Sequence, residues 1–182
     1  MKFKIFVIIL FIGILNLKAQ QKNYIVDEIG WELNVPDGFK VIPEPKKAAK
    51  KSPNGRVEKM IFKNDKQTSL SILYINSPQD VSKFKDHIEA FEQNFIQKIK
   101  EKASDIYTEK TISEENFQGL DFHKSAFKFE GGNDTKQYFI FYFTQINHRY
   151  VIFNIIAGTD EEVNKMMKIF ENESKFKQQT KS

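Results

Sequence analysis

The sequence predicts an α+β fold: an antiparallel β-sheet with one long helix and a C-terminal helix packed on it, arranged as a three-layer α/β/α sandwich. Three observations carry that expectation. The stretch from Tyr138 to Ala157 is apolar on nearly every side chain, whereas a strand with one wet face alternates apolar with polar, so both faces of this hairpin need cover. Val81, Phe84, Ile88, Phe91, Phe95 and Ile99 recur at spacings of three and four, the stripe of a helix laid on a sheet. Val163, Met166, Met167 and Phe170 repeat that pattern after the hairpin. The connections are short, which favours antiparallel neighbours.

The first 19 residues are read as a cleaved signal peptide. Lys2 and Lys4 make the positive start, Ile5 to Leu17 the apolar segment, and Leu17-Lys18-Ala19 a small-residue cleavage site. The apolar segment is shorter than the roughly 20 residues that cross a bilayer. No other stretch is long enough to span, so the mature chain is expected to be a soluble protein exported to the periplasm or beyond the cell. Cleavage before Gln20 leaves 163 of the 182 residues, one domain's worth, and lowers 28 cations to 25 against 24 acids, a net charge of +1 in place of +4. That balance gives no argument for a nucleic-acid partner. The absence of cysteine excludes disulfides, a zinc–thiolate site and a cysteine-linked lipid anchor.

The single domain is expected over residues 20 to 174. Trp31, Leu33 and Val35 alternate with Glu32 and Asn34 as a half-buried strand, and Pro36-Asp37-Gly38 turns the chain into a strand at Phe39 to Ile42. Residues 43 to 56 read as an exposed loop. Strands at Lys59 to Lys63 and Thr68 to Ile75 flank a turn at Asn64-Asp65-Lys66. Ser77-Pro78-Gln79-Asp80 starts the long helix, whose polar face is assigned Lys83, Asp86, Glu89, Glu92 and Lys100. Strands follow at Asp105 to Thr111 and Leu120 to Glu130, separated by residues 113 to 119; the second changes parity and is expected to bulge near Lys124 to Ala126. Thr159 with Glu162 forms a capping box for the last helix, and residues 175 to 182 are expected to fray.

Trp31-x-Leu33-x-Val35-Pro36-x-Gly38-Phe39, Leu70-x-Ile72 before a long helix, and Tyr150-x-Ile152 to Ala157 before an acidic-capped helix ending near Phe170 resemble the PsbP-like family. Its fold is shared by the photosystem II extrinsic protein, the DcrB-like exported bacterial proteins and a small Ran-binding nuclear import factor. The resemblance implies a non-enzymatic accessory or binding module; with the signal peptide, a module of the bacterial cell envelope is expected, and no cofactor is assigned. No metal-binding histidine or Ran-contacting acidic motif of those relatives matches a position here.

Chemistry-bearing patterns are sparse. His87, His123 and His148 form no metal-spaced pair, no serine-nucleophile motif occurs, and Gly131-Gly132 lacks the context of a phosphate loop. Catalytic and metal residues are therefore not assigned. An enzyme, such as a hydrolase, whose site is assembled from dispersed residues is the alternative reading, and a purely structural envelope component another. Two surfaces stand out. If Asn147-His148 is a two-residue turn, Asn154 faces Phe141 and lies between Ile152 and Ile156 on one face. An amide among these residues is either a structural hydrogen bond to a loop or helix end, or the polar group of an aromatic cleft for a small apolar ligand. Lys46, Lys47, Lys50, Lys51 and Arg56 form a basic cluster read as a solvated loop, with an acidic partner or anionic headgroups as the sharper reading. The expected partner is thus an unassigned protein or a small apolar ligand. The exported form is expected to begin at Gln20, which intact-mass measurement of the secreted or periplasmic fraction checks directly.

Overall fold

The computed structural model describes residues 23–42, 55–75, 79–102, 106–131 and 136–177. Ten strands, β1 (Asn23–Val26), β2 (Trp31–Asn34), β3 (Lys40–Val41), β4 (Arg56–Lys63), β5 (Ser69–Ile75), β6 (Tyr107–Phe117), β7 (Leu120–Glu130), β8 (Lys136–Ile146), β9 (Arg149–Ala157) and β10 (Ser174–Phe176), are joined by helices α1 (Phe84–Lys102) and α2 (Asp160–Glu173). The large sheet has the order β3-β4-β5-β9-β8-β7-β6, and a small one the order β1-β2-β10. Every pairing among the described strands is antiparallel.

The expected central hairpin is β8–β9, turning at Asn147 and His148 with φ of 52° and 58°. Both residues sit in the left-handed region, as a two-residue hairpin turn requires. Odd-numbered β8 residues Phe141 and Phe143 face α1 with Ile88, Phe127, Phe129 and Ile152. Even-numbered Tyr138, Ile140 and Tyr142 join a second core with Trp31, Phe122, Phe153 and Phe170. The third layer is therefore α2 together with the small sheet. Trp31 packs 4.9 Å from Phe153, centroid to centroid, and its Nε1 donates to Ser174 Oγ at 3.1 Å inside that core.

Several local expectations are corrected. β7 carries no bulge: its register is unbroken against both β6 and β8. The parity change reflects two buried faces, Phe122 entering one core and Phe127 and Phe129 the other. The register shift lies instead in β4, between Met60 and Phe62, and puts the consecutive Ile61 and Phe62 into the same core. Residues 113 to 117, read as a connection, continue β6; their polar side chains suit an edge strand and hid it. Lys175 and Phe176, from the stretch expected to fray, follow Ser174 in pairing with β2 as β10. Val81 leaves the apolar stripe: it lies in a 3₁₀ turn, 53% exposed, capped by Asp80, whose carboxylate accepts from Ser82 N. Ser77 and Pro78, assigned to the helix start, lie outside the described residues, as do the signal segment, residues 43 to 54 and 178 to 182.

The final helix begins as expected. Thr159 Oγ1 accepts from Glu162 N at 3.2 Å, while the Glu162 carboxylate reaches back to Gly158 N at 3.4 Å, one residue beyond the usual box. Val163, Met166 and Phe170 are buried. Phe170 sits within 4.8 Å of Phe153 and 4.7 Å of Tyr142, and is fully buried. Phe170→Ala is expected to cost about 3–5 kcal/mol, read as a lower urea midpoint at unchanged slope.

Candidate functional site

α1 does not cover its face of the large sheet evenly. Phe91 stands edge-on to Phe141 (5.0 Å) and Phe143 (5.3 Å), and Phe95 to Phe127, Phe139 and Phe141 (5.2, 5.1 and 4.9 Å). These contacts fall on β7 and β8, and Ile152 of β9 joins the same core. From β5 only Leu73 joins this core among the described residues, and it is half-buried; from β4 no described residue does. Ser71, Leu73, Asn154 and Ile156 are thus a half-covered strip beside α1, bordered on β4 by the exposed Glu58, which pairs in register with Leu73.

Asn154 is where the hairpin register puts it, opposite Phe141 on β8 and opposite Ser71 on β5. Its amide donates from Nδ2 to Ser71 Oγ at 3.4 Å, while Oδ1 is buried without a partner. The contact runs across to the neighbouring strand. Phe141 and Ile152 are 3% and 2% exposed and lie under α1, so of the three residues only Asn154 reaches the rim.

A polar cluster lies toward the other flank of α1. Glu92, assigned to the wet face, is 5% exposed. Its Oε2 accepts from Lys110 Nζ at 2.6 Å, and its Oε1 accepts a short hydrogen bond from the fully buried Ser125. His123 is held between two carboxylates, Nδ1 2.7 Å from Glu114 and Nε2 3.7 Å from Glu92. The Lys110 ammonium also sits 5.7 Å from the Phe127 ring centre. Sequence reasoning missed this cluster although its signal was present: Glu92 falls at four from Ile88 and three from Phe95, on the apolar stripe, and Ser125 shares parity with Phe127. The charges pair with one another and pin the helix to β6 and β7.

The His87 ring lies 4.9 Å from that of Tyr150, centroid to centroid and tilted by 40°, and burial, with a smaller contribution from the Arg56 charge, holds its pKa below the usual imidazole value. His148 is exposed in the hairpin turn. Arg56 reaches Glu58 at 3.5 Å on the surface; Lys46, Lys47, Lys50 and Lys51 lie outside the described residues. Across the sheet, burial and then the Glu171 hydrogen bond (2.7 Å) push the Tyr142 hydroxyl far above its ordinary pKa. Among the described residues, no three His, Asp or Glu side chains gather as a metal site, and no helix is long and apolar enough to cross a membrane.

Two tests follow from this geometry. Glu92→Ala leaves the buried Ser125 hydroxyl without its acceptor and frees Lys110; it is expected to cost about 1–3 kcal/mol by urea unfolding, with Glu92→Gln costing less. A His87 pKa below its unfolded value means that the unfolded chain takes up the proton first as pH falls. That contribution to stability is complete above about 6.5, the unfolded value, and declines below it towards the folded pKa. His87→Phe is expected to flatten stability against pH in that interval.

No protein-family profile and no curated protein sequence matches the chain. Solved structures do. The solution structure of cyanobacterial PsbP (CyanoP) from Synechocystis sp. PCC 6803 aligns with a TM-score of 0.59 at 12% identity, over 86% of this chain and 92% of that one. A crystal structure from Bacteroides thetaiotaomicron VPI-5482 aligns with a TM-score of 0.53 at 12% identity, over 88% of this chain but only 50% of its own. At such identity the likeness concerns architecture alone, and the architecture of this chain is PsbP-like.

Proposed function

We propose that this protein is an exported, non-enzymatic binding module whose half-covered strip around Asn154 receives a small apolar ligand. One observation carries the reading: an amide with an unpartnered, buried Oδ1 stands among Leu73, Ile156 and Ser71, where the aromatic cover of α1 runs out. An apolar floor with one amide at its rim suits a ligand that is apolar with a single hydrogen-bonding head. The likeness in fold to CyanoP supports an accessory rather than a catalytic role. In the charged cluster beside α1, Lys110 pairs with Glu92 and His123 Nδ1 with Glu114, while His123 Nε2 is buried without a hydrogen-bond partner.

Native mass spectrometry of the exported chain from its own host tests this. A small mass retained by wild type and lost in Asn154→Leu is the expected result. Because that substitution removes an unpartnered carbonyl, it is expected to leave the urea midpoint unchanged or raised. A chain free of ligand, whose melting temperature ignores added fatty acids, overturns the proposal.

A further inference from the structure

The two edges of the large sheet are unlike. β3, at one edge, has two residues; β6, at the other, has eleven and pairs only with β7 among the described residues. The β6–β7 turn consists of Gln118 and Gly119, both at positive φ (53° and 76°). In such a two-residue hairpin the flanking pair, Phe117 and Leu120, is hydrogen-bonded. The register runs unbroken from there to Tyr107 opposite Glu130. Odd-numbered β6 residues therefore bond to β7, and Thr108, Lys110, Ile112, Glu114 and Asn116 turn their backbone N–H and C=O groups to the open side.

We propose that β6 pairs with β6 of a second copy of this chain, antiparallel about a twofold axis at Ile112, so that two large sheets become one. Full overlap of residues 107–117 with themselves is centred on Ile112, the middle of the strand. That register sets Ile112 against itself. Its side chain is 54% exposed, one of three large apolar residues in that state among those described. It also sets Lys110 of each copy against Glu114 of the other, twice by symmetry. The Glu114 carboxylate is 74% exposed and the Lys110 side chain 30% exposed, and cross-strand pairs of opposite charge stabilise a ladder. Glu109 would meet Glu115 on the opposite face, where Lys128 (4.0 Å) and Lys124 (2.9 Å) already offset each carboxylate within its own chain.

The oligomeric state of the exported chain tests the pairing. By sedimentation velocity the wild type is expected to be a dimer. Ile112→Pro removes an N–H that β7 does not use, so it is expected to keep the fold, checked by circular dichroism, and to lose the dimer. Ile112→Cys supplies the chain's only thiol; residues facing each other as a hydrogen-bonded pair, about 5.5 Å between Cα atoms, are within disulfide reach. Mild oxidation is expected to give a covalent dimer, while Ile25→Cys, exposed on the small sheet, does not. A wild type that stays monomeric at its highest attainable concentration overturns the proposal. So does a dimer unaffected by Ile112→Pro, or crosslinking at position 25 as fast as at 112.

Discussion

Burial of the β8–β9 hairpin on both faces is the constraint from which the architecture follows. Its side chains alternate between two cores, Phe141, Phe143 and Ile152 on one side and Tyr142, Phe153 and Ile155 on the other. An antiparallel sheet need not be covered twice; this one is because it has no polar set to offer water. One helix supplies the first cover. The second is built from α2 and a three-stranded sheet whose Trp31 and Phe170 converge on Phe153.

Cover of unequal width creates the surface of interest. A single helix spans about 10 Å, roughly two strand spacings of the sheet beneath it, whereas the large sheet has seven strands. α1 sits over β7, β8 and β9, its phenylalanines edge-on to those below. What lies to either side must be solved locally. Toward β6 the solution is charge: Glu92 enters the core boundary with Lys110 and Ser125 as partners, which offsets much of the cost of its burial. Toward β5 no such network exists among the described residues, and Asn154 is left with one partner at 3.4 Å. That asymmetry separates a flank fastened by charge from one left half-covered.

The edges obey the same economy of cover. β3 is too short to template much, and β6 is long but charged, with Lys110 paired to Glu92 of α1 and Glu114 to His123 of β7. Charged side chains usually guard an edge against indiscriminate pairing. Here Lys110 and Glu114 lie symmetrically about Ile112, so in the proposed pairing two of the residues that discourage foreign strands set the register.

What the sequence by itself determined was everything written in periodicity. The two-residue turn at Asn147-His148, the partner of Asn154 across it, the Thr159 cap and the stripe ending at Phe170 all follow from local spacing, and the structure has them. Tertiary structure decided what spacing is silent about. Glu92 stands on the apolar stripe by spacing, yet its charge assigns it to water until distant chain brings Lys110 and Ser125 to it as partners. The polar end of β6 reads as a loop until β7 pairs with it, and β10 reads as a tail until β2 does. Phe122 and Phe127 look out of phase until both faces of β7 prove to be buried. The physical reason is common to all of these: local pattern records a side chain's preference for water or core, while the partner that reverses that preference is supplied by distant chain.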